Sequence, residues 1–202
     1  MGDLLTRRRE LILASGGSSE WDVEWDYTMG LPEDSGWTKD ATGTSIATLT
    51  DSCVQIRAQN SNQHLGYSWP NQNSIGVFEA EYSFTNAYCN STLFIGNDID
   101  VVNGIRGQYS ANYKGIYLYT ATAIASMRKL QSASQNTYYK ITVVLNGANS
   151  KVLVDDVLKA DNIDLSTIAM TVYPTRLRFS SSHSTTAATY NLKAMRLKLG
   201  RI

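Results

Sequence analysis

The chain has 202 residues, with 18 basic and 18 acidic side chains, two Cys and two His. This length suits one domain with a core large enough to need no disulfide or metal, and the zero net charge argues against nucleic-acid binding. Charged residues make up only 18% of the chain, whereas Ser, Thr and Asn number 54, beside 12 Tyr and 4 Trp. A neutral polar surface of this kind is more typical of adhesive or sugar-binding β-proteins than of helical cytosolic enzymes.

Several common classes of motif are missing from the sequence. No apolar run reaches the ~20 residues of a membrane-spanning helix, and Arg7–Arg9 precede an apolar run too short for a secretory signal. Phosphate-binding loops and nucleophile elbows are absent. Cys53 and Cys89 occur without a CxxC pair or a suitably spaced His. We therefore predict two buried, reduced thiols and no zinc site.

The first 17 residues predict a short helix. Asp3 is a suitable N-cap and Gly16-Gly17 a suitable end, and an apolar stripe runs between them through Leu4, Leu5, Leu11 and Ile12. A helix this short is marginal alone in water. It therefore needs a partner, either its own domain or, as we favour, another chain. We predict that this segment serves attachment or oligomerisation.

Residues 18–202 predict one all-β domain. From Trp21 onward the chain is rich in Val, Ile, Tyr and Thr, with turn residues every eight to twelve positions, which is the pattern of a sandwich or barrel. Three prolines and the lack of repeats favour a continuous domain. The predicted strands are 44–49, 53–58, 64–68, 75–85, 91–96, 104–110, 115–120, 125–131, 138–146, 150–155, 157–160, 168–172, 175–181 and 188–199.

Turns and charges suggest how the strands connect. Asn146-Gly147 indicates a hairpin with a loop longer than two residues, and Asp155-Asp156 makes a second, tight connection. The start of the domain is acidic and contains Trp21, Trp25 and Trp37, which we interpret as anchors onto the sandwich. Opposite charges on paired strands would match this start to a basic C-terminal stretch, which holds Arg176, Arg178, Lys193, Arg196, Lys198 and Arg201.

The β-region resembles a concanavalin A-like, or laminin G-like, jelly roll. The resemblance lies in residues 75–82, in residues 139–145 and in the following hairpin 151–157, where Asp156 replaces the usual Gly. It implies a sandwich of two antiparallel sheets, with the closing strand 190–199 returning to pair with the first. Such folds host many functions.

The N-terminal segment resembles a different set of proteins. Residues 4–14 have the pattern L-x-x-R-R-R-x-L-x-L-A, which is similar to the opening of phage tail, baseplate and head-fibre proteins. This resemblance implies a virion structural protein assembled in the bacterial cytoplasm, with other virion proteins as partners of the helix. We expect a homo-oligomer, with a trimer favoured.

The jelly-roll resemblance raises the question of glycoside hydrolysis. That activity needs two catalytic carboxylates, which related hydrolases supply as E-x-D-x-x-E. The nearest match is Asp98-Ile-Asp100-Val-Val-Asn103, in which Asn103 cannot exchange a catalytic proton. Glu79 and Glu81 share a strand face, a common surface arrangement. We therefore predict that the protein is not an enzyme and needs no cofactor. We interpret Asp98 and Asp100 as part of a polar loop, with calcium coordination as an alternative.

Carbohydrate binding is the preferred functional hypothesis. Sugars are held by aromatic faces that stack on their C–H surfaces and by hydrogen bonds from amide or carboxylate groups, and the region 97–119 supplies both. Trp69, expected on an exposed turn, adds a further aromatic. The predicted glycan-binding residues are Trp69, Asn97, Asp98, Asp100, Arg106, Tyr109, Asn112, Tyr113, Tyr117 and Tyr119. A purely architectural role in the virion and a glycoside hydrolase are the alternatives.

Overall fold

Two antiparallel β-sheets make up the part of the chain that the computed structural model describes. That part comprises residues 20–69, 75–95, 103–110, 112–120, 128–163 and 175–202. The predicted helix at 1–17 and the predicted strand at 168–172 lie outside the described residues. Within the described part, no helix is long and apolar enough to cross a membrane.

The first sheet has eight strands in the order β13-β12-β11-β6-β15-β4-β3, with β1 also pairing with β15. Its strands are β1 (Val23–Asp26), β3 (Ile46–Leu49), β4 (Val54–Ala58), β6 (Ile75–Phe84), β11 (Tyr138–Asn146), β12 (Ser150–Val154), β13 (Val157–Ile163) and β15 (Ala188–Leu199).

The second sheet has seven strands in the order β10-β9-β8-β7-β14-β5-β2. Its strands are β2 (Thr38–Ala41), β5 (His64–Trp69), β7 (Cys89–Ile95), β8 (Asn103–Tyr109), β9 (Lys114–Thr120), β10 (Arg128–Ser132) and β14 (Thr175–Ser181). Together the sheets confirm the predicted all-β sandwich. The sequence analysis missed β2, because its residues TKDA are mostly polar and do not alternate.

An aromatic core joins the two sheets. Phe179 of the seven-stranded sheet packs between Tyr82 and Tyr190 of the eight-stranded sheet, at ring-centroid distances of 5.5 Å and 4.7 Å. Trp25 and Trp37 are fully buried in the same cluster, as predicted for anchors at the start of the domain. Burial of such rings is the largest contribution to the stability of a sandwich.

Two tyrosine hydroxyls also cross between the sheets. The Tyr82 hydroxyl accepts a hydrogen bond from Ser91 Oγ at 2.8 Å. The Tyr190 hydroxyl donates to the carbonyl of Ser180 and accepts from the backbone N–H of Asn90. Burial raises the pKa of Tyr190 well above its usual value, so its hydroxyl stays protonated and able to donate.

Both cysteines are free and buried, as the sequence predicts. Burial raises the pKa of the Cys89 thiol to about 11. Because the thiolate is the reactive form, Cys89 is an inert part of the core at neutral pH.

The two ends of the domain pair through opposite charges. Strand β1 runs antiparallel to β15, and three ion pairs hold the ends together: Glu24–Arg196 at 2.9 Å, Glu20–Lys198 at 2.6 Å and Asp22–Arg201 at 2.9 Å. This arrangement confirms the predicted pairing of the acidic start with the basic end. Arg176 and Arg178 are exceptions to that prediction, because they lie on β14 in the other sheet.

The paired carboxylates Glu79 and Glu81 lie on the outer face of the eight-stranded sheet. Glu79 accepts hydrogen bonds from Arg196 at 3.2 Å and from Thr142 at 3.1 Å, and Glu81 lies 3.9 Å from Lys193. Each is therefore engaged by its own structural partner.

The Asp155-Asp156 turn tolerates the loss of the usual glycine. Both residues have positive φ, 52° and 63°, which is the backbone of a two-residue type I′ hairpin. The Asp155 carboxylate accepts from the Lys140 backbone N–H at 2.9 Å, and Asp156 pairs with Lys140 Nζ at 2.6 Å. These contacts offset the strain of a non-glycine residue at this position.

We predict that Tyr190→Phe lowers the free energy of unfolding by about 1–3 kcal/mol, because the buried carbonyl of Ser180 then loses its donor. Urea denaturation measures the change. Tyr113→Phe is the matched control, since that side chain is partly exposed and the change should stay within about 0.5 kcal/mol. Equal stability of the two variants would show that the inter-sheet hydrogen bond contributes nothing.

Candidate functional site

The outer face of the seven-stranded sheet collects the polar side chains of its central strands. In β14, Leu177 and Phe179 are fully buried in the core. Because successive strand residues point to opposite faces, Arg176 and Arg178 lie on the outer face. Strand β5 alternates in the same way, and its outer positions are His64, Gly66 and Ser68.

The strand register places one row of residues straight across this face. Asp40 on β2 pairs with Gly66 on β5, which pairs with Arg178 on β14. The row continues through β7, β8, β9 and β10 with Thr92, Arg106, Tyr117 and Lys129. Neighbouring strands lie about 4.8 Å apart, so the seven positions span about 29 Å, a length suited to an extended ligand.

A hydrogen-bonded cluster of Asp40, His64 and Arg178 occupies one end of the row. His64 Nε2 lies 3.0 Å from Asp40 Oδ2, and His64 Nδ1 lies 3.0 Å from Arg178 Nη2. The Thr42 hydroxyl is 3.2 Å from the same Nδ1 and accepts from the His64 backbone N–H at 2.9 Å. His64 is thereby buried, although it lies on the outer face.

These contacts fix the tautomer of His64. A guanidinium can only donate hydrogen bonds, so Nδ1 must hold a lone pair toward Arg178. The proton of the neutral ring then lies on Nε2 and is donated to Asp40. His64 therefore carries no charge in this arrangement, and the Asp40 carboxylate also faces the guanidinium of Arg176 at 4.0 Å.

Arg176 is the less satisfied of the two arginines. Its Nη1 lies 4.0 Å from Asp40 Oδ2, an ion pair too long for a hydrogen bond. Its Nε is shielded from water and has no hydrogen-bond partner within the described residues. With 23% of its side chain exposed, Arg176 combines a fixed position with access to solvent.

Two tyrosines lie near the opposite end of the row. Tyr117 lies on the outer side of β9, buried beneath its neighbours, and burial raises its pKa. Tyr113, in the turn before β9, packs against it edge-on at 6.2 Å and is 37% exposed. The adjacent Asn112 is exposed. An exposed aromatic ring beside an amide is an arrangement that can contact a sugar.

The predicted ligand residues divide into three groups. Tyr113, Tyr117 and Asn112 lie at or beside the outer face, and the backbones of Arg106 and Tyr119 belong to the neighbouring strands β8 and β9. Trp69 and Tyr109 pack against the core instead, with Trp69 5.6 Å from Trp37 and Tyr109 stacked on Phe84 at 6.2 Å. Three predicted residues lie outside the described part of the chain: Asn97, Asp98 and Asp100.

The expectation that Trp69 lies on an exposed turn is wrong. Trp69 is the last residue of β5, and strand alternation places it on the same side as Leu65 and Tyr67. Its ring fills space beside Trp37 in the core.

The sequence analysis missed Asp40 and His64 as site residues and gave Arg176 and Arg178 a different role. A signal for the arginines was present, since R-L-R-F alternates charged with apolar residues in a predicted strand. No local signal linked Asp40 to the site, because β2 was not predicted. Among the described residues, no group of His, Cys, Asp and Glu is arranged to hold a metal ion.

Comparison with known proteins shows the fold. No known family profile matches the chain, and no curated protein matches it by sequence. It is structurally similar to a sialidase, with a TM-score of 0.62 and 10% identity, over 89% of this chain but 19% of that one. A carbohydrate esterase of the Shiga toxin-encoding bacteriophage phi24B is similar over 88% of this chain and 97% of the esterase, with a TM-score of 0.58 and 12% identity.

The receptor-binding domain of botulinum neurotoxin type G is a third similar structure. Its TM-score is 0.51 at 14% identity, over 91% of this chain and 48% of the toxin structure. The similar structures thus include carbohydrate-active enzymes and a receptor-binding domain. They confirm the fold, a jelly-roll sandwich of two antiparallel sheets, and leave open whether the chain is an enzyme or a binding domain.

We predict that His64 is the neutral Nε2–H tautomer at neutral pH, because Arg178 requires an acceptor at Nδ1. A long-range ¹H–¹⁵N correlation spectrum distinguishes protonated from unprotonated ring nitrogens. His183, whose Nδ1 accepts backbone N–H groups of Thr185 and Thr186, serves as an internal reference for an unprotonated Nδ1. A proton on Nδ1 of His64 would exclude the hydrogen bond from Arg178.

Proposed function

We propose that this chain binds carbohydrate on the outer face of its seven-stranded sheet, as the displayed domain of a phage virion appendage. The observation that carries the proposal is the row from Asp40 to Lys129. Beside this row, the partly exposed guanidinium of Arg176 lies at the Asp40 end, and the partly exposed ring of Tyr113 packs against Tyr117 toward the Lys129 end. Hydrogen-bond donors and an aromatic face on one polar surface are what sugar recognition needs.

The similar structures support a role in carbohydrate recognition. A sialidase and a carbohydrate esterase are among them, and their names refer to action on sugars. Identity of 10–12% carries no residue roles across, so the proposal rests on the surface described above.

Binding is favoured over hydrolysis by the distribution of carboxylates. A retaining glycosidase needs two carboxyl groups about 5–5.5 Å apart. The described strands of this sheet contain one carboxylate, that of Asp40, and it contacts His64 and Arg176. Glu79 and Glu81 lie on the other sheet. We therefore propose a binding domain that works without catalysis or a cofactor.

The virion assignment follows from the N-terminal segment. Its resemblance to the openings of phage structural proteins supports an attachment role for Leu4, Leu5, Leu11 and Ile12. A homotrimer would give the predicted helix a partner and would display three copies of the binding face. Other virion proteins are the proposed partners of this segment, and the virion is the proposed location.

The binding face is tested by Tyr113→Ala. We expect at least about five-fold weaker retention on the polysaccharide or host cell wall that the full-length protein selects, because loss of an aromatic contact commonly costs more than ~1 kcal/mol. A glycan array followed by titration of the selected ligand measures it. Val157→Ala is the control, since Val157 is 54% exposed at the edge of the other sheet. If neither glycans nor cell walls retain the wild-type protein, the architectural alternative replaces this proposal.

The oligomerisation role is tested by deleting residues 1–16. We expect the full chain to have the mass of a trimer and the truncated chain that of a monomer, with an unchanged β-sheet circular dichroism spectrum. Light scattering coupled to size-exclusion chromatography measures both masses. An assembly state that survives the deletion would show that the segment does not oligomerise the protein.

A further inference from the structure

Strand β3 is the least protected sheet edge in the described part of the chain. Edge strands carry backbone groups that can pair with another chain, and proteins usually block them with charged residues, prolines or bulges. The described edge strands β1, β2, β10 and β13 each contain two charged residues, and register shifts interrupt the pairing of β10 and β13. Strand β3 has the uncharged sequence IATL, and its pairing with β4 is regular. It therefore has none of these protections.

The free side of β3 presents backbone hydrogen-bonding groups. The Thr50 backbone N–H donates to the Cys53 carbonyl at 2.9 Å, in the turn that continues the register of β3 with β4. Hydrogen-bonded and non-hydrogen-bonded pairs alternate in an antiparallel ladder. Thr48 therefore directs its backbone groups to β4, whereas Ala47 and Leu49 direct theirs to the free side.

The side chains of β3 leave apolar surface at the same edge. Leu49 pairs with the buried Val54 of β4 and is itself 46% exposed, and Ala47 pairs with the buried Ile56. Both therefore lie on the inner face, at the rim of the core. Ile46 lies on the outer face and is 51% exposed. A strand added here would bury apolar surface as well as pair the backbone.

A second copy of β3 fits this edge in an antiparallel register. When Thr48 of one copy faces Thr48 of the other, Ala47 of each copy faces Leu49 of its partner. The outward backbone groups then meet in two hydrogen-bonded pairs, which supply four hydrogen bonds. A large side chain also meets a small one at both places. A register that places Leu49 opposite Leu49 loses this match.

Two charged residues beside β3 are matched by the same pairing. Arg57 on β4 pairs with Ile46, and Asp51 follows the other end of β3. Both are exposed, and neither has an ion pair within the described residues. Because the two copies run antiparallel, Arg57 of one copy lies two strand spacings, about 9.6 Å, from the backbone beside Asp51 of the other. An extended arginine side chain can reach a carboxylate over that separation.

We propose that β3 pairs with β3 of a second copy of this chain, which joins two eight-stranded sheets edge to edge about a two-fold axis. The pairing involves the sheet opposite the proposed carbohydrate-binding face and does not depend on that function. A four-residue edge is small for a lasting interface between free chains. The pairing therefore forms between copies that a larger assembly holds close together, and dilute single domains remain separate.

Thr48→Cys in the full-length protein tests this register. The Cα atoms of a non-hydrogen-bonded antiparallel pair are about 4.5 Å apart, which is within the range that a disulfide spans. We therefore expect mild oxidation of a concentrated sample to link chains in pairs, as measured by SDS gel electrophoresis without reductant. Thr38→Cys is the matched control, because Thr38 is exposed on an edge strand of the other sheet. Its yield of linked pairs should be at least about five-fold lower, since charged residues protect that edge.

A charge exchange tests the contact between Arg57 and Asp51. Added to Thr48→Cys, Asp51→Arg should lower the yield of linked pairs, because like charges then face each other at both ends of the pairing. The further change Arg57→Asp should restore the yield, which would not happen if the first change had merely damaged the fold. The melting temperature of each variant reports its folding.

The outcomes separate this inference from the proposed function. No linked pairs from Thr48→Cys, or equal yields from Thr48→Cys and Thr38→Cys, would overturn the pairing. A yield that does not respond to Asp51→Arg would overturn the ion pairs and the register that places them. Glycan retention by Thr48→Cys should equal that of the wild-type protein, because β3 belongs to the other sheet.

Discussion

The alternation of side chains along β14 is the constraint on which the candidate site depends. Leu177 and Phe179 must point inward, because Phe179 packs between Tyr82 and Tyr190 of the opposite sheet. Their burial fixes the register of β14, since a shift by one residue would place both arginines in the core. The large energy of core burial therefore positions Arg176 and Arg178, whose own contacts are weaker.

The polar cluster shows how such a surface can hold two guanidinium groups. His64 accepts from Arg178 through one ring nitrogen and donates to Asp40 through the other, so a neutral ring links a cation to an anion. Gly66 lies between Asp40 and Arg178 in the row, and a Cβ there would come within 3.0 Å of the Leu177 carbonyl. The absence of a side chain at this position leaves room for the contacts between strands β2 and β14. Arg176 lies two residues before Arg178 on β14, and fewer contacts offset its positive charge.

Sequence reasoning predicted the strands well, and the residues it selected overlap only in part with the candidate site. Strand β11 alternates over nine positions, and that period survives in the fold. In β15 the alternation holds on either side of a bulge between Leu192 and Ala194, after which the buried positions change from even to odd numbers. The pairing of β1 with β15 was predictable, because opposite charges mark both segments. Tyr113 and Tyr117 were accessible to the same reasoning, since they belong to one short hairpin region.

The Asp40 end of the candidate site could not be predicted from the sequence in the same way. Asp40, His64 and Arg178 come from strands separated by up to 138 positions in the sequence, and they meet because β14 inserts between β5 and β7. The charge pattern grouped Arg178 with the basic C-terminal stretch, because charge alone does not show which sheet a strand joins. Trp69 was misplaced because the predicted strand ends at residue 68, whereas β5 extends through Trp69.

The topology also ties the site to the whole domain. Strands β7 to β10 form a series of sequential hairpin neighbours, whereas β2, β5 and β14 come from both ends of the chain. The row from Asp40 to Lys129 crosses the β14–β7 boundary between these two groups. A ligand that contacts Arg176 and Tyr113 together therefore links parts of the sheet that are distant in sequence. Such a ligand would bind the assembled face and not either group of strands alone, so it should stabilise the complete sandwich by mass action. Ligand binding and cooperative folding therefore both depend on the pairing of β14 with β7.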